Sequence, residues 1–400
     1  MKKYLLKCMF TLAVLFMAVN FTSCSDDDDD DDGPVVDNKD EVYGNILKSY
    51  VNTTVIPTYK TLAEAALEMR AANQALRENA TDANMAAAAA AWIKARIQWE
   101  LSEAFLFGPV SEDHLNIDAH IDSWPLELEE IKKEIGLTEG QLTGERAWKE
   151  LEDEVIGFHV TEYLLYREGK SRPVAELTEG ELNYLTAATD ALVWDCVLAY
   201  VAWAGEENVS AAIKEVYREN ADIISFLESE NASIKNFGSK LSSADSYSSW
   251  ESAVEEIIDG VIDIADEVGA TKIADPYSNG RVEDVESWYS WHSLDDYTNN
   301  IYSIRNAYLG GEGTAGSPTS VSLSTFVKEN DAALDTEIKE KIDNCIKKIQ
   351  AIGDNGSLSF YKVVEAKSKG DTSRQAIVNE AVDACLAVGV SFGKIKELLK

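Results

Sequence analysis

The chain has 400 residues, 45% of them hydrophobic and 9% aromatic, with seven prolines. That length exceeds one ordinary domain, and the composition excludes a disordered chain in favour of a well-packed, largely helical one. A formal charge of -35 speaks against nucleic acid as a partner, because phosphate repulsion would oppose every approach.

Lys2, Lys3 and Lys7 precede an apolar run from Leu12 to Val19, the layout of a secretory signal. The run is too short to span a bilayer. Phe21-Thr22-Ser23-Cys24 resembles the lipobox of bacterial lipoproteins, which predicts that residues 1–23 are removed and Cys24 is lipidated. Asp26 to Asp32 follow; adjacent like charges repel and bury nothing, so residues 24–40 read as an acidic tether. The same stretch resembles the export tails of Gram-negative lipoproteins carried to the outer face of the outer membrane. The expected partner there is outer-membrane lipid, held through Cys24.

From Glu41 onward the pattern is helical. Glu41 to Asn79 predicts a long helix kinked at Pro57, and Ala86 to Ala91 open a second that leads through Trp92, Arg96, Trp99, Glu100 and Glu103 to a stop at Gly108-Pro109. Further helices are expected over Leu126–Ile135, Gly144–Arg167, Val174–Ala204 and Ser210–Glu230. In the second half they are expected over Trp250–Val268, Val282–Leu309, Leu323–Ile352 and Ser373–Leu399, with a glycine-rich break at Gly310–Pro318. Alternating β-branched runs with hairpin turns are missing. The expectation is an all-α protein of two helix-bundle domains, 41–205 and 206–400.

Within Gly144–Arg167, His159 stands three residues before Glu162, so on a helix both share one face. The surrounding residues are apolar, which points the pair into protein, either as a satisfied structural contact or as a site. His292-x-x-Asp295 repeats the spacing more weakly. His114, His120 and His292 read as loop or surface residues. Cys196, Cys345 and Cys385 lie in apolar helical patterns and read as core, with a Cys345–Cys385 disulfide left open.

Two metal chemistries fit only in part. A helical zinc-protease motif would need a second histidine beside His159-x-x-Glu162, where Tyr163 stands. A di-iron bundle would need Glu-x-x-His, which does not occur. A mononuclear site of His159, Glu162 and a carboxylate such as Glu100 or Glu103 stays open for iron or zinc; the competing reading pairs Arg96 with Glu100 on the same helix face. Phosphate-loop, dinucleotide and serine-hydrolase motifs are absent.

Phe107-Gly108-Pro109, then Ile121-Asp122-Ser123-Trp124-Pro125, then Gly157-x-His159-x-x-Glu162 together resemble the imelysin-like family, with Ser290, Leu294-Asp295-Asp296-Tyr297 and Tyr308-Leu309-Gly310 continuing the match. The resemblance implies two bundle domains related by duplication with a site in the cleft between them. It places Gly157, His159 and Glu162 at that site, lined by Gly108, Pro109, Asp122, Trp124 and Pro125; Arg96 is a further ligand-binding candidate. It implies either an iron-regulated envelope protein that binds a metal or a metal-bearing ligand, with an uptake receptor as partner, or a metal-dependent endopeptidase.

Overall fold

The computed structural model describes residues 38–111, 113–137, 140–229 and 234–400; the signal-like segment, Cys24 and the aspartate run lie outside the described residues. Helix α1 (Asn38–Tyr50) continues through a widened π-helical turn, Val51–Val55, into α2 (Ile56–Glu78). Proline lacks an N–H and crowds the carbonyl four residues back. The widened turn ahead of Pro57 accommodates that mismatch, and helical backbone continues through it. Helix α3 (Asp82–Glu100) starts at Thr81, whose hydroxyl accepts from the Asn84 N–H. It stops at Glu100, and two 3-10 turns, Glu103–Phe105 and Gly108–Val110, fill the interval to the expected stop.

Short helices α4 (Ile117–Asp122), α5 (Leu128–Ile135) and α6 (Gly144–Glu150) follow. The single helix expected over Gly144–Arg167 is broken. Leu151 and Ile156 are extended, and α7 runs only from Gly157 to Leu165 before a two-residue antiparallel ladder of β1 (Tyr166–Arg167) with β2 (Lys170–Ser171). Gly157 adopts φ +81°, a left-handed conformation that costs glycine little and redirects the chain into a new helix. Val155 and Ile156 therefore do not extend the His159 stripe.

Helix α8 (Glu179–Ala204) begins at a reciprocal cap between Thr178 and Glu181, five residues later than the pattern predicts. It is long and apolar enough to cross a membrane, yet 94% of its most apolar stretch is buried in the protein. After α9 (Ala211–Glu219), α10 (Ala221–Ser229) and α11 (Phe237–Ser243), helix α12 (Trp250–Glu267) repeats the earlier device. A π-helical turn, Val268–Ala274, leads into α13 (Asp275–Asn279) just ahead of Pro276. The helix expected from Val282 begins as α14 (Ser293–Leu309), and the chain before it is irregular, with Ser287 at φ 47° and Trp291 at φ 64°. The glycine-rich break is present. Helices α15 (Leu323–Asn330), α16 (Ala332–Ile352), α17 (Phe360–Ser368), α18 (Gln375–Gly393) and α19 (Ile395–Leu399) complete the chain.

The fold is all-α. Helices α2, α3, α7 and α8 pack as one group, and α12, α14, α16 and α18 as another. The groups are joined through their centres, because α3 packs on α14 and the Glu103–Phe105 turn lies against both α12 and α14. Helix α1 crosses to pack on α12, and its Tyr43 hydroxyl donates to the Leu399 carbonyl at 2.8 Å. Contacts thus cross position 205/206 throughout, and Asn38–Lys400 is one contact unit.

Candidate functional site

The seam between the groups holds charge rather than hydrocarbon. Arg96, one turn before the end of α3, is 1% exposed and faces Glu100 one turn on, Asp122 at the end of α4, and Asp296 on α14, where Nε stands 3.4 Å from Oδ2. A buried guanidinium needs opposite charge around it, and both halves of the chain supply it, although Nη2 meets Glu100 as a charge contact that is not aligned as a hydrogen bond. Asp122 also accepts from Trp99 Nε1 at 2.8 Å. Burial raises its carboxyl, but Arg96 and His159 outweigh that and hold it far below the usual carboxylate range.

His159 and Glu162 converge as the i,i+3 spacing predicts, with His159 Nδ1 3.4 Å from Glu162 Oε2, both fully buried. His159 Nε2 stands 3.0 Å from Asp122 Oδ1, a charge contact that is not aligned as a hydrogen bond. Burial and Arg96 lower the pKa of His159, but the carboxylates of Asp122 and Glu162 prevail and push it up to about 9. The ring is therefore an imidazolium at neutral pH, with the Trp124 indole packed edge-on against it at 4.9 Å. The second oxygen of Glu162 accepts from the Ser290 N–H and hydroxyl, each at 2.7 Å. The irregular turn before α14 makes this reach possible, and it also delivers the Ser287 hydroxyl to Asp296 at 2.5 Å. Gly157 contributes by closeness: a Cβ there would lie 2.3 Å from the Ile121 carbonyl oxygen. Only glycine lets α7 sit directly on α4.

A second cluster adjoins the first. One oxygen each from Glu100, Glu103 and Asp122 lie within 4.8 Å of one another. Glu100 also accepts from Asn300 Nδ2 at 2.5 Å, and burial pushes its carboxyl up to about 8. Glu103, 6% exposed, accepts no hydrogen bond among the described residues, and burial pushes its carboxyl well up. Asp118 lies nearby and is raised to about 7 by burial and by Asp122. Besides Arg96, Lys272 adds balancing positive charge, held by Glu286 at 3.1 Å and Glu267 at 3.2 Å.

The structure thus brings Arg96, Asp122, Trp124, Gly157, His159 and Glu162 together. Gly108 and Pro109 sit elsewhere: Gly108 is pressed against Phe237 beside a separate pocket that includes His114. The expected metal trio of His159, Glu162 and Glu100 does not form a metal-sized group among the described residues: the Glu162 oxygens are engaged by His159 and Ser290, and Glu100 groups instead with Glu103 and Asp122. His120 is half-buried on α4, its Nδ1 2.6 Å from Asp195 Oδ2. His292 lines a cavity of about 270 Å³ with Trp92, Arg96 and Asp296. Through Asp295 and Gln350 this cavity adjoins another of about 500 Å³ walled by Trp291, Asn355, Ser357 and Lys362. Sequence reasoning gave no role to Lys272, Ser287, Asp296 or Asn300; the polar density of the segment from Glu286 to Asn300 is the signal that marks most of them.

Fold and site define an all-α protein built around a buried, acid-rich centre supplied by both halves of the chain. The profile of the family described as Imelysin, peptidase M75, matches residues 55–388. The chain belongs to the imelysin family. It is similar to "Iron-regulated protein A" of Synechococcus elongatus, 26% identical over 264 residues, which is 66% of this chain and spans 64% of that relative's length. A crystal structure provisionally described as an iron-regulated protein A precursor, from Parabacteroides distasonis, has a TM-score of 0.74 and 28% identity, covering 90% of this chain and 96% of that one. An imelysin-like protein from Psychrobacter arcticum shares the fold at 15% identity and a TM-score of 0.60, covering 88% and 93%.

Proposed function

We propose that this chain is an envelope lipoprotein, anchored through Cys24 in the outer membrane at the cell surface, that binds a metal cation in its buried acidic centre as part of iron uptake. The observation that carries the reading is the convergence of Glu100, Glu103 and Asp122, in which the largely buried Glu103 accepts no hydrogen bond among the described residues. Carboxylates gathered in low dielectric repel one another and hold protons or a cation. Oxygens on opposite sides of a cation at about 2.0–2.5 Å stand about 4–5 Å apart, so the spacing fits. Glu100, Glu103 and Asp122 would hold the ion, and a bound cation there would supply positive charge beside Arg96 and His159. An all-oxygen set suits a hard cation better than one that prefers nitrogen or sulfur. His159, as an imidazolium, then acts by orienting Asp122 and Glu162 rather than by ligation. Iron enters from the chemistry of the donors and from relatives named for iron regulation. The cavity beside Arg96, with the larger one that adjoins it, offers the approach for an ion delivered by a receptor or on a carrier.

Calorimetric titration with ferric, ferrous and zinc ions tests this, with elemental analysis of protein from its native envelope. Glu103→Gln should abolish uptake while leaving the fold as stable as before or more so. Equal affinity in wild type and Glu103→Gln would overturn the assignment. The alternative, a metal-dependent endopeptidase, requires chelator-sensitive cleavage of an unfolded protein; the engagement of both Glu162 oxygens leaves that residue poorly placed as a free base.

A further inference from the structure

Away from the acidic centre, α16 and α18 pack side by side and bring two thiols together. Cys345 Sγ lies 3.4 Å from Cys385 Sγ, and both residues are fully buried. Gly269, in the π-helical turn after α12, makes the space: a Cβ there would stand 3.0 Å from Cys385 Cβ. Cys196 is buried alone on α8.

We propose that Cys345 and Cys385 are a disulfide-forming pair, closed as the exported chain folds. The compartment rests on the envelope reading above; the geometry does not. The sulfurs need approach only from 3.4 Å to about 2.05 Å, a rotation-sized movement for two side chains on neighbouring helices. Export brings the chain to disulfide oxidants. The Cys345 thiolate attacks one sulfur of an oxidant disulfide and expels the other as a thiolate. The Cys385 thiolate then attacks the Cys345 sulfur, forming the bond and releasing the second oxidant sulfur. Two protons and two electrons leave the pair, and the oxidant becomes a dithiol. The Cys385 contact and burial push the Cys345 thiol well up, away from the reactive thiolate, so the reaction belongs to the stage before α18 docks.

The bridge would close a loop of 40 residues that contains Gln350, Asn355, Ser357 and Lys362, the outer wall of the larger cavity. It would therefore hold one side of the approach to Arg96 in place.

The full chain, unfolded in urea under reducing conditions and refolded in a mixed glutathione buffer, provides the test. Alkylation and peptide mapping should find a linked Cys345–Cys385 peptide two hydrogens lighter, with Cys196 still alkylated. Reductant should lower the melting temperature by on the order of 5 °C, and Cys345→Ser should lose that response and leave Cys385 open to alkylation. Recovery of Cys196, Cys345 and Cys385 all as free thiols after refolding would overturn the proposal. A bridge formed on refolding but absent from protein taken from its native envelope would instead overturn the export reading.

Discussion

Replacing Gly157 with alanine adds one methyl group at the point where two helices meet backbone to backbone. The new Cβ would fall 2.3 Å from the Ile121 oxygen, 2.7 Å from the Ile121 carbonyl carbon and 3.0 Å from the His120 oxygen. Carbon needs about 3.5 Å from such atoms, so α4 must retreat by roughly 1 Å. The left-handed φ adds strain of about 1–2 kcal/mol for a residue with a Cβ, and the overpacking about 1–3 kcal/mol. Retreat of α4 also draws Asp122 away from Arg96, Trp99 and His159. The expected loss is about 3–5 kcal/mol against a total stability of about 5–15 kcal/mol. Urea denaturation followed by circular dichroism should show a lower midpoint with an unchanged slope. Metal affinity, measured by calorimetry, should fall in parallel. A loss below about 1 kcal/mol with unchanged metal binding would refute the argument that the glycine exists to admit α4.

Arg96→Met strands Glu100, Asp122 and Asp296 without their shared cation. It should cost about 3–5 kcal/mol, and adding Asp122→Asn should recover part of that in a double-mutant cycle. Ser290→Ala removes the hydroxyl donor to Glu162 and keeps the backbone N–H; thermal unfolding should register about 1–3 kcal/mol. Asp190 gives a pH-dependent case away from the centre, because burial pushes its carboxyl up to about 6 against the pull of Arg70. The folded state then holds this proton more tightly than the unfolded chain, where the pKa is about 3.9. The group therefore costs stability as pH rises from about 4 through about 6, and nothing below. Asp190→Asn should match wild type near pH 3.5 and exceed it by about 2 kcal/mol at pH 7; equal stability at both pH values would contradict the assignment.

The helical class was legible because Ala86–Ala91 and the apolar periodicities of α2, α3 and α12 are local signals. The convergence of His159 with Glu162 was legible for the same reason, being fixed by spacing within one helix. The interruptions were not. Leu151 and Ile156 carry no breaker of their own, and the extended chain there is set by the seating of α7 on α4 through Gly157. Likewise the stretch from Glu286 to His292 has a helical composition but is held as a turn by bonds to distant groups, among them Ser290 with Glu162. The partners of Arg96 span from Glu100 to Asp296, a separation that no window along the chain can see. The motif Gly157-x-His159-x-x-Glu162 thus announces the site, while the carboxylates proposed to hold the ion come from the end of α3, the turn after it and α4.

Arg96 draws one carboxylate from its own helix, one from α4 and one from α14, and Glu162 takes its serine from a residue 128 positions on. Severed between α8 and α12, the C-terminal fragment would keep Asp296 without Arg96, and the N-terminal fragment would keep Glu162 without the donors of Ser290. However the chain arose, its halves now depend on one another for the charge and hydrogen bonds at their shared centre, and must be made as one polypeptide.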